Sequence, residues 1–131
     1  MRQDLDELLY ARHPKIFAER HEPDTLLSWG FAFGDGWFDL VDVLCERLQF
    51  ATDHNGAPQV LASQVKEKFG LMSFHWRGEI SKEQRGMITL AEALATRICE
   101  QCGNPGQVLI QGGIRATRCA EHALDGAVPV P

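Results

Sequence analysis

The chain has 131 residues, 44% of them hydrophobic, and carries 18 acidic against 13 basic side chains for a formal net charge of -5. That is the length of one domain with ample apolar material for a core. No stretch has the apolar length of a membrane span, and an acidic, amphipathic start lacks the basic-then-apolar layout of a secretory leader. A cytoplasmic setting is the expectation, and there four cysteines read better as metal ligands than as disulfides. Charge is uneven along the chain. Up to Pro58 there are eleven Asp/Glu against five Lys/Arg, and from Gln59 onward seven against eight.

Asp4 followed by Glu7 has the form of a capping box opening a short helix, with Leu5, Leu8 and Leu9 on one side and Pro14 ending it. His21-Glu-Pro-Asp-Thr is turn-like. In Trp29-Gly-Phe-Ala-Phe-Gly-Asp-Gly-Trp37 the glycines predict an irregular loop or short strand packed on its aromatics. An amphipathic helix is predicted from Asp35 or Gly36 to about Ala51, with Trp37, Leu40, Val41, Leu44 and Leu48 at helical spacing. Cys45 falls among them as a core thiol. On the other side Asp35, Asp39, Asp42 and Glu46 form a single-signed stripe, expected to stand in water as a continuous ridge. Such a stripe is either a solvated helix face or a surface that steers a basic partner.

Val60 to Lys66 and Leu71 to Trp76 read as two strands around Glu67-Lys-Phe-Gly70, with Met72, Phe74 and Trp76 facing the core. Ser81 with Gln84 is a second capping box. The helix it opens carries Met87, Leu90, Ala91, Leu94 and Ile98 along one face, and Leu90 and Leu94 are expected in the core. Val108 to Ile110 and Ile114 to Arg118 form a hairpin across Gly112-Gly113. The expected architecture is α+β: a small antiparallel hairpin packed by helices, residues 1 to 98, and a treble-clef-like zinc finger at 99 to 126 within the same domain. Residues 127 to 131 are read as a frayed tail.

The strongest chemical signal is Cys99-Glu-Gln-Cys102-Gly103 followed by Cys119-Ala-Glu-His122. Two close ligand pairs separated by a hairpin-length segment suit a tetrahedral ion, and thiolates with imidazole suit structural zinc (Zn2+). Cys119 and His122 are expected on the first turn of a closing helix. Removal of the metal is expected to disorder 99 to 126 while the core survives in part. With all four positions filled and no nucleophile–base signature, no catalytic activity is expected.

Gly34-Asp-Gly-Trp-Phe-Asp-Leu, Gln64-Val-Lys-Glu-Lys-Phe-Gly, Cys-Glu-x-Cys-Gly-x-Pro-Gly and the Cys-x-x-His close together resemble a group of small bacterial and phage-associated proteins of uncharacterised activity. The likeness covers most of the chain from about Trp29, with Ile114 standing where an aromatic residue would be expected. It implies a bacterial or phage setting and a metal-binding end. Two functions follow as expectations. The first is a non-enzymatic zinc-containing protein-binding module, a phage or mobile-element inhibitor or adaptor acting on a host protein through the acidic stripe or aromatic loop. The alternative is a small nucleic-acid-binding regulator using the zinc end, with Lys66, Lys68, Arg77, Arg115 and Arg118 around Trp76. Net acidity disfavours the second.

Overall fold

A computed structural model describes residues 1–22 and 30–131. The predicted turn beyond Glu22 and the start of the aromatic loop at Trp29 lie outside the described residues. The described chain is α+β, with helices α1 (Gln3–Arg12), α2 (Phe38–Asn55) and α3 (Lys82–Ala95). Strands β1 (Leu61–Lys68) and β2 (Leu71–Arg77) form one antiparallel sheet, and β3 (Gln107–Gln111), β4 (Ile114–Arg118) and β5 (Val128–Pro129) form a second in the order β4-β3-β5. No described helix is long and apolar enough to cross a membrane.

The first helix begins before the predicted cap. Arg2 is the N-cap and makes no side-chain cap bond, so Asp4 lies inside the first turn rather than ahead of it. The start is pinned from elsewhere. The Met1 ammonium donates to the Phe33 carbonyl, and the Arg2 N–H donates to Asp35 Oδ1 at 2.8 Å. Asp4 and Asp6 then sit where the helix dipole favours negative charge. Leu9 and Tyr10 are the buried residues, while Leu8 points outward. The helix stops at Arg12, ahead of Pro14, as the sequence requires.

From there a relay of rings crosses the core. Tyr10 and Phe17 each lie 5.3 Å from Phe31, Phe31 lies 5.7 Å from Phe33, and Phe33 lies 5.6 Å from Trp37, centroid to centroid. A single 3-10 turn, Asp35–Trp37, leads into α2, whose Val41, Leu44, Cys45, Leu48 and Ala51 are buried at helical spacing. The helix outlasts the predicted end at Ala51 and closes on Gly56, which takes the left-handed conformation (φ +71°) that suits glycine.

In the first sheet Met72 and Phe74 face the core opposite Glu67 and Val65. The register shifts between Ala62 and Gln64, a one-residue bulge that explains why the β1 sequence alternates poorly. Trp76, expected inside, is half-buried at the core's edge with the Arg85 guanidinium 5.7 Å from its ring.

Helix α3 opens with the predicted capping box but rolls differently from its leucine pattern. The Gln84 N–H donates to Ser81 Oγ at 3.1 Å, and the Ser81 N–H donates to Gln84 Oε1 at 2.9 Å. Gln84 is fully buried, and its Nε2 donates to the Pro58 and Leu48 carbonyls at 3.0 and 3.3 Å. That grip, with Ala91 and Ala95 allowing close approach to α2, turns Gln84, Ile88, Ala91 and Ala95 inward. Leu90 is consequently 69% exposed and Leu94 45% exposed, correcting their expected place in the core. The carboxyl end is also corrected: instead of fraying, Val128 and Pro129 pair with Ile110 and Leu109, and the Val130 N–H donates to the Val108 carbonyl at 3.1 Å.

Gln84 closes the α3 cap and the end of α2 at once. Gln84→Leu, which keeps volume but removes the amide, is expected to lower the free energy of unfolding by about 1–3 kcal/mol. Urea denaturation followed by circular dichroism measures it.

Candidate metal centre

The four predicted ligands come together. Cys99, Cys102, Cys119 and His122 offer ligand atoms that all lie within 4.8 Å of one another, and the group can hold a metal ion. Cys99 Sγ is 3.8 Å and Cys119 Sγ 3.3 Å from His122 Nδ1, and the sulfurs of Cys102 and Cys119 are 3.7 Å apart. A tetrahedron with metal–sulfur bonds of about 2.3 Å and a metal–nitrogen bond of about 2.0–2.1 Å has edges of roughly 3.5–3.8 Å. The three separations lie within about 0.2 Å of those edges. Cys45 takes no part: it is fully buried in α2, where burial pushes its thiol well above the usual range.

The first pair sits on a tight knuckle. The Cys99 N–H donates to the Asn104 carbonyl at 2.8 Å and the Gly103 N–H to the Cys99 carbonyl at 2.9 Å, with Gly103 at φ +82°. Burial opposes ionisation of Cys99, but the N–H groups of Cys119, Cys102 and Gln101 and the Cys102 thiol outweigh it, bringing the Cys99 thiol down to about 6. A site so furnished with donors favours the thiolate, the form that binds metal. The second pair differs from expectation. Cys119 is the N-cap of one 3-10 turn, Ala120–His122, and the chain then extends at Ala123, so no closing helix forms. A knuckle and a hairpin are present and β5 pairs with β3, but the closing helix expected of a treble clef is absent among the described residues.

The knuckle is built into the core rather than appended to it. The Gly36 N–H donates to the Glu100 carbonyl at 2.7 Å, Trp37 Nε1–H to the Ile98 carbonyl at 2.9 Å, and the Glu100 N–H to the Thr117 carbonyl at 3.0 Å. A Cβ on Gly36 would run into the Cys99 carbonyl and lie 2.5 Å from the Gly103 nitrogen, and one on Gly34 would run into the Glu100 carbonyl. These glycines therefore make room for the knuckle, a role beyond that of a loop packed on its own aromatics. The Glu100 side chain is buried. Burial raises its carboxyl, while Arg118 and the Gly34 N–H pull it back. Arg118 spans both ligand pairs, donating to Glu100 Oε1 at 3.1 Å and to the His122 carbonyl at 3.4 Å.

The acidic stripe does not survive as a ridge. Asp42 receives Arg12 Nη1–H at 2.7 Å on one oxygen and lies 2.7 Å from the buried His13 Nε2 on the other, joining the end of α1 to α2. Asp35 accepts the Arg2 N–H and stands 3.4 Å from its Nε. Asp39 and Glu46 alone of the four are exposed. The basic face suggested around Trp76 is likewise reduced, since Arg77 pairs with Glu19 at 2.5 Å and Arg118 with Glu100.

No protein-family model, no curated protein and no solved structure matches this chain. The centre is therefore read from its own geometry.

Three substitutions separate these roles. Gly36→Ala should destabilise the fold by at least about 3 kcal/mol, because backbone rather than a side-chain tip blocks the new methyl; thermal denaturation and metal retention during dialysis measure it. Asp42→Lys should cost about 1–3 kcal/mol by stranding His13 and Arg12, whereas Asp39→Lys should change stability by less than about 0.5 kcal/mol.

Proposed function

We propose that this chain is a non-enzymatic protein-binding module held together by one structural zinc at Cys99, Cys102, Cys119 and His122. Three sulfurs and one imidazole nitrogen at tetrahedral spacing suit zinc over hard cations, and they leave no coordination position for a substrate. Structural zinc in small sites supplies on the order of 10 kcal/mol of apparent binding free energy. Such an ion serves a scaffold.

The observation that carries the binding role is a groove between α2 and α3, lined by Leu40, Val43, Leu44, Met87, Leu90 and Leu94. Val43 is 55% exposed, and Phe50, two turns further along α2, is 40% exposed. A single exposed leucine means nothing, but a contiguous apolar strip between two helices marks an interaction surface. An amphipathic helix laid in this groove would place apolar anchors at three- and four-residue spacing. Asp39, Val43 and Glu46 share one face of α2, so the two exposed carboxylates would stand beside the groove and speed capture of a helix flanked by basic residues. Arg47, which also lines the groove, stacks on Phe50 with its guanidinium 4.2 Å from the ring. The role of inhibitor or adaptor acting on a host protein in a phage or mobile-element setting rests on the motif resemblance alone.

Photo-crosslinking from position 90, with position 115 as control, tests this in extracts of a bacterial host. The expected result is one defined protein crosslinked from 90, lost on Val43→Glu with the thermal midpoint unchanged, and weakened by salt in the parent chain but less so after Asp39→Lys. Elemental analysis should give one zinc per chain. Catalytic turnover at the metal, or a dimer of this chain abolished by Val43→Glu, would contradict the reading.

A further inference from the structure

The β1–β2 turn carries a residue that its backbone disfavours. Lys68 pairs with Leu71, so the turn is the dipeptide Phe69-Gly70, with φ +55° and +83°. A two-residue turn of that kind wants Asn, Asp or Gly first, and a bulky aromatic there is strained. Burial does not compensate, since Phe69 is 71% exposed. The turn itself is firmly held. The Gly70 N–H donates to Glu67 Oε1 at 2.6 Å, and Thr117 Oγ1–H on β4 donates to the Gly70 carbonyl at 2.7 Å. A rigid mount presents an aromatic ring to solvent at a conformational cost that nothing within the described fold returns.

The charge around this ring differs from that of the chain as a whole. Lys68 Nζ lies 5.6 Å from the Phe69 centroid. By register, Lys66 shares the outward face of the sheet with Lys68, across from Ser73 and Leu71. Arg115 belongs to the strand against which Gly70 packs: a Cβ on Gly70 would lie 3.2 Å from the Arg115 carbonyl carbon. Lys66, Lys68 and Arg115 make no ion pair within 4.0 Å among the described residues. Glu67, the one acid between Gln59 and Gly78, is occupied with Gly70, and there is no acid between Gln101 and Arg118. On the two hairpins bases outnumber acids, so the net charge of -5 misrepresents the field at this tip.

We infer that the Phe69 tip, with Lys66, Lys68 and Arg115, is a binding surface for single-stranded nucleic acid. An exposed ring among cations is the arrangement that stacks an unpaired base while neutralising its phosphates. A duplex, its bases already stacked, offers the ring nothing. An acidic peptide would use the cations and ignore the ring. This surface is separate from the α2–α3 groove and stands or falls independently of it.

Fluorescence anisotropy of the full zinc-loaded chain with a labelled oligo-thymidine of about ten nucleotides tests the inference. Affinity should fall steeply with salt, and Lys66→Gln with Lys68→Gln should reduce the magnitude of the log–log salt slope by about 1.4, at roughly 0.7 per phosphate contact. The decisive variant is Phe69→Asn, which installs a residue the turn prefers. It should weaken binding on the order of tenfold while the thermal midpoint stays constant or rises, and Phe69→Tyr should retain binding. Absence of binding at low salt, unchanged affinity in Phe69→Asn, or equal binding of duplex or polyglutamate would each overturn it.

Discussion

The hydrogen bond from the Gly36 N–H to the Glu100 carbonyl joins the two halves of this protein, and it exists because Gly34 and Gly36 carry no side chain. The metal knuckle presses its own backbone into the space that two Cβ atoms would fill. Trp37, the next residue, donates from its ring to Ile98 and stands at the end of the aromatic relay. Metal ligands, knuckle backbone, glycine gap and apolar core thus form one contiguous assembly. The division at residue 98 marks a change in the means of stabilisation the residues offer, with packing before it and a set of candidate metal ligands after it.

That arrangement bears on how much of the protein was legible in its sequence. The ligand set was plain, because three cysteines and a histidine at two short spacings allow few other chemistries, and the capping box at Ser81 was plain because its two reciprocal bonds are local. What escaped was set by distant partners. Leu90 and Leu94 follow the leucine periodicity of α3, yet the roll of that helix is fixed by Gln84 reaching three residues of α2 and the segment after it. Asp42 sits on an acidic stripe by periodicity, but His13 and Arg12 arrive from another helix to claim it. The closing helix failed for a local reason: after His122 the chain turns back to add Val128 and Pro129 to β3. Gly34-Asp-Gly-Trp37 held a usable signal, since glycines bracketing one residue before a helix often mark close backbone approach.

The same fold sorts charge by element. The part of the chain up to Pro58 carries most of the acids, and on the two hairpins bases outnumber acids. A small chain can in this way present two faces of different character from one core, an apolar groove between α2 and α3 and a basic tip crowned by Phe69. Both hairpins are fixed to each other through Thr117 and Gly70, and β4 also supplies the carbonyl that receives Glu100. The tip is therefore tied to the same assembly that positions the four candidate metal ligands.

Hydrogen exchange with and without a zinc chelator tests this coupling most directly. If the knuckle is part of the core, chelation will remove protection at Gly36, Glu100, Thr117 and the Trp37 ring N–H together with the ligand segment, and Gly70 will follow. Loss confined to residues 99–126, with Gly36 and Trp37 still protected, would contradict it and make the metal end an appendage.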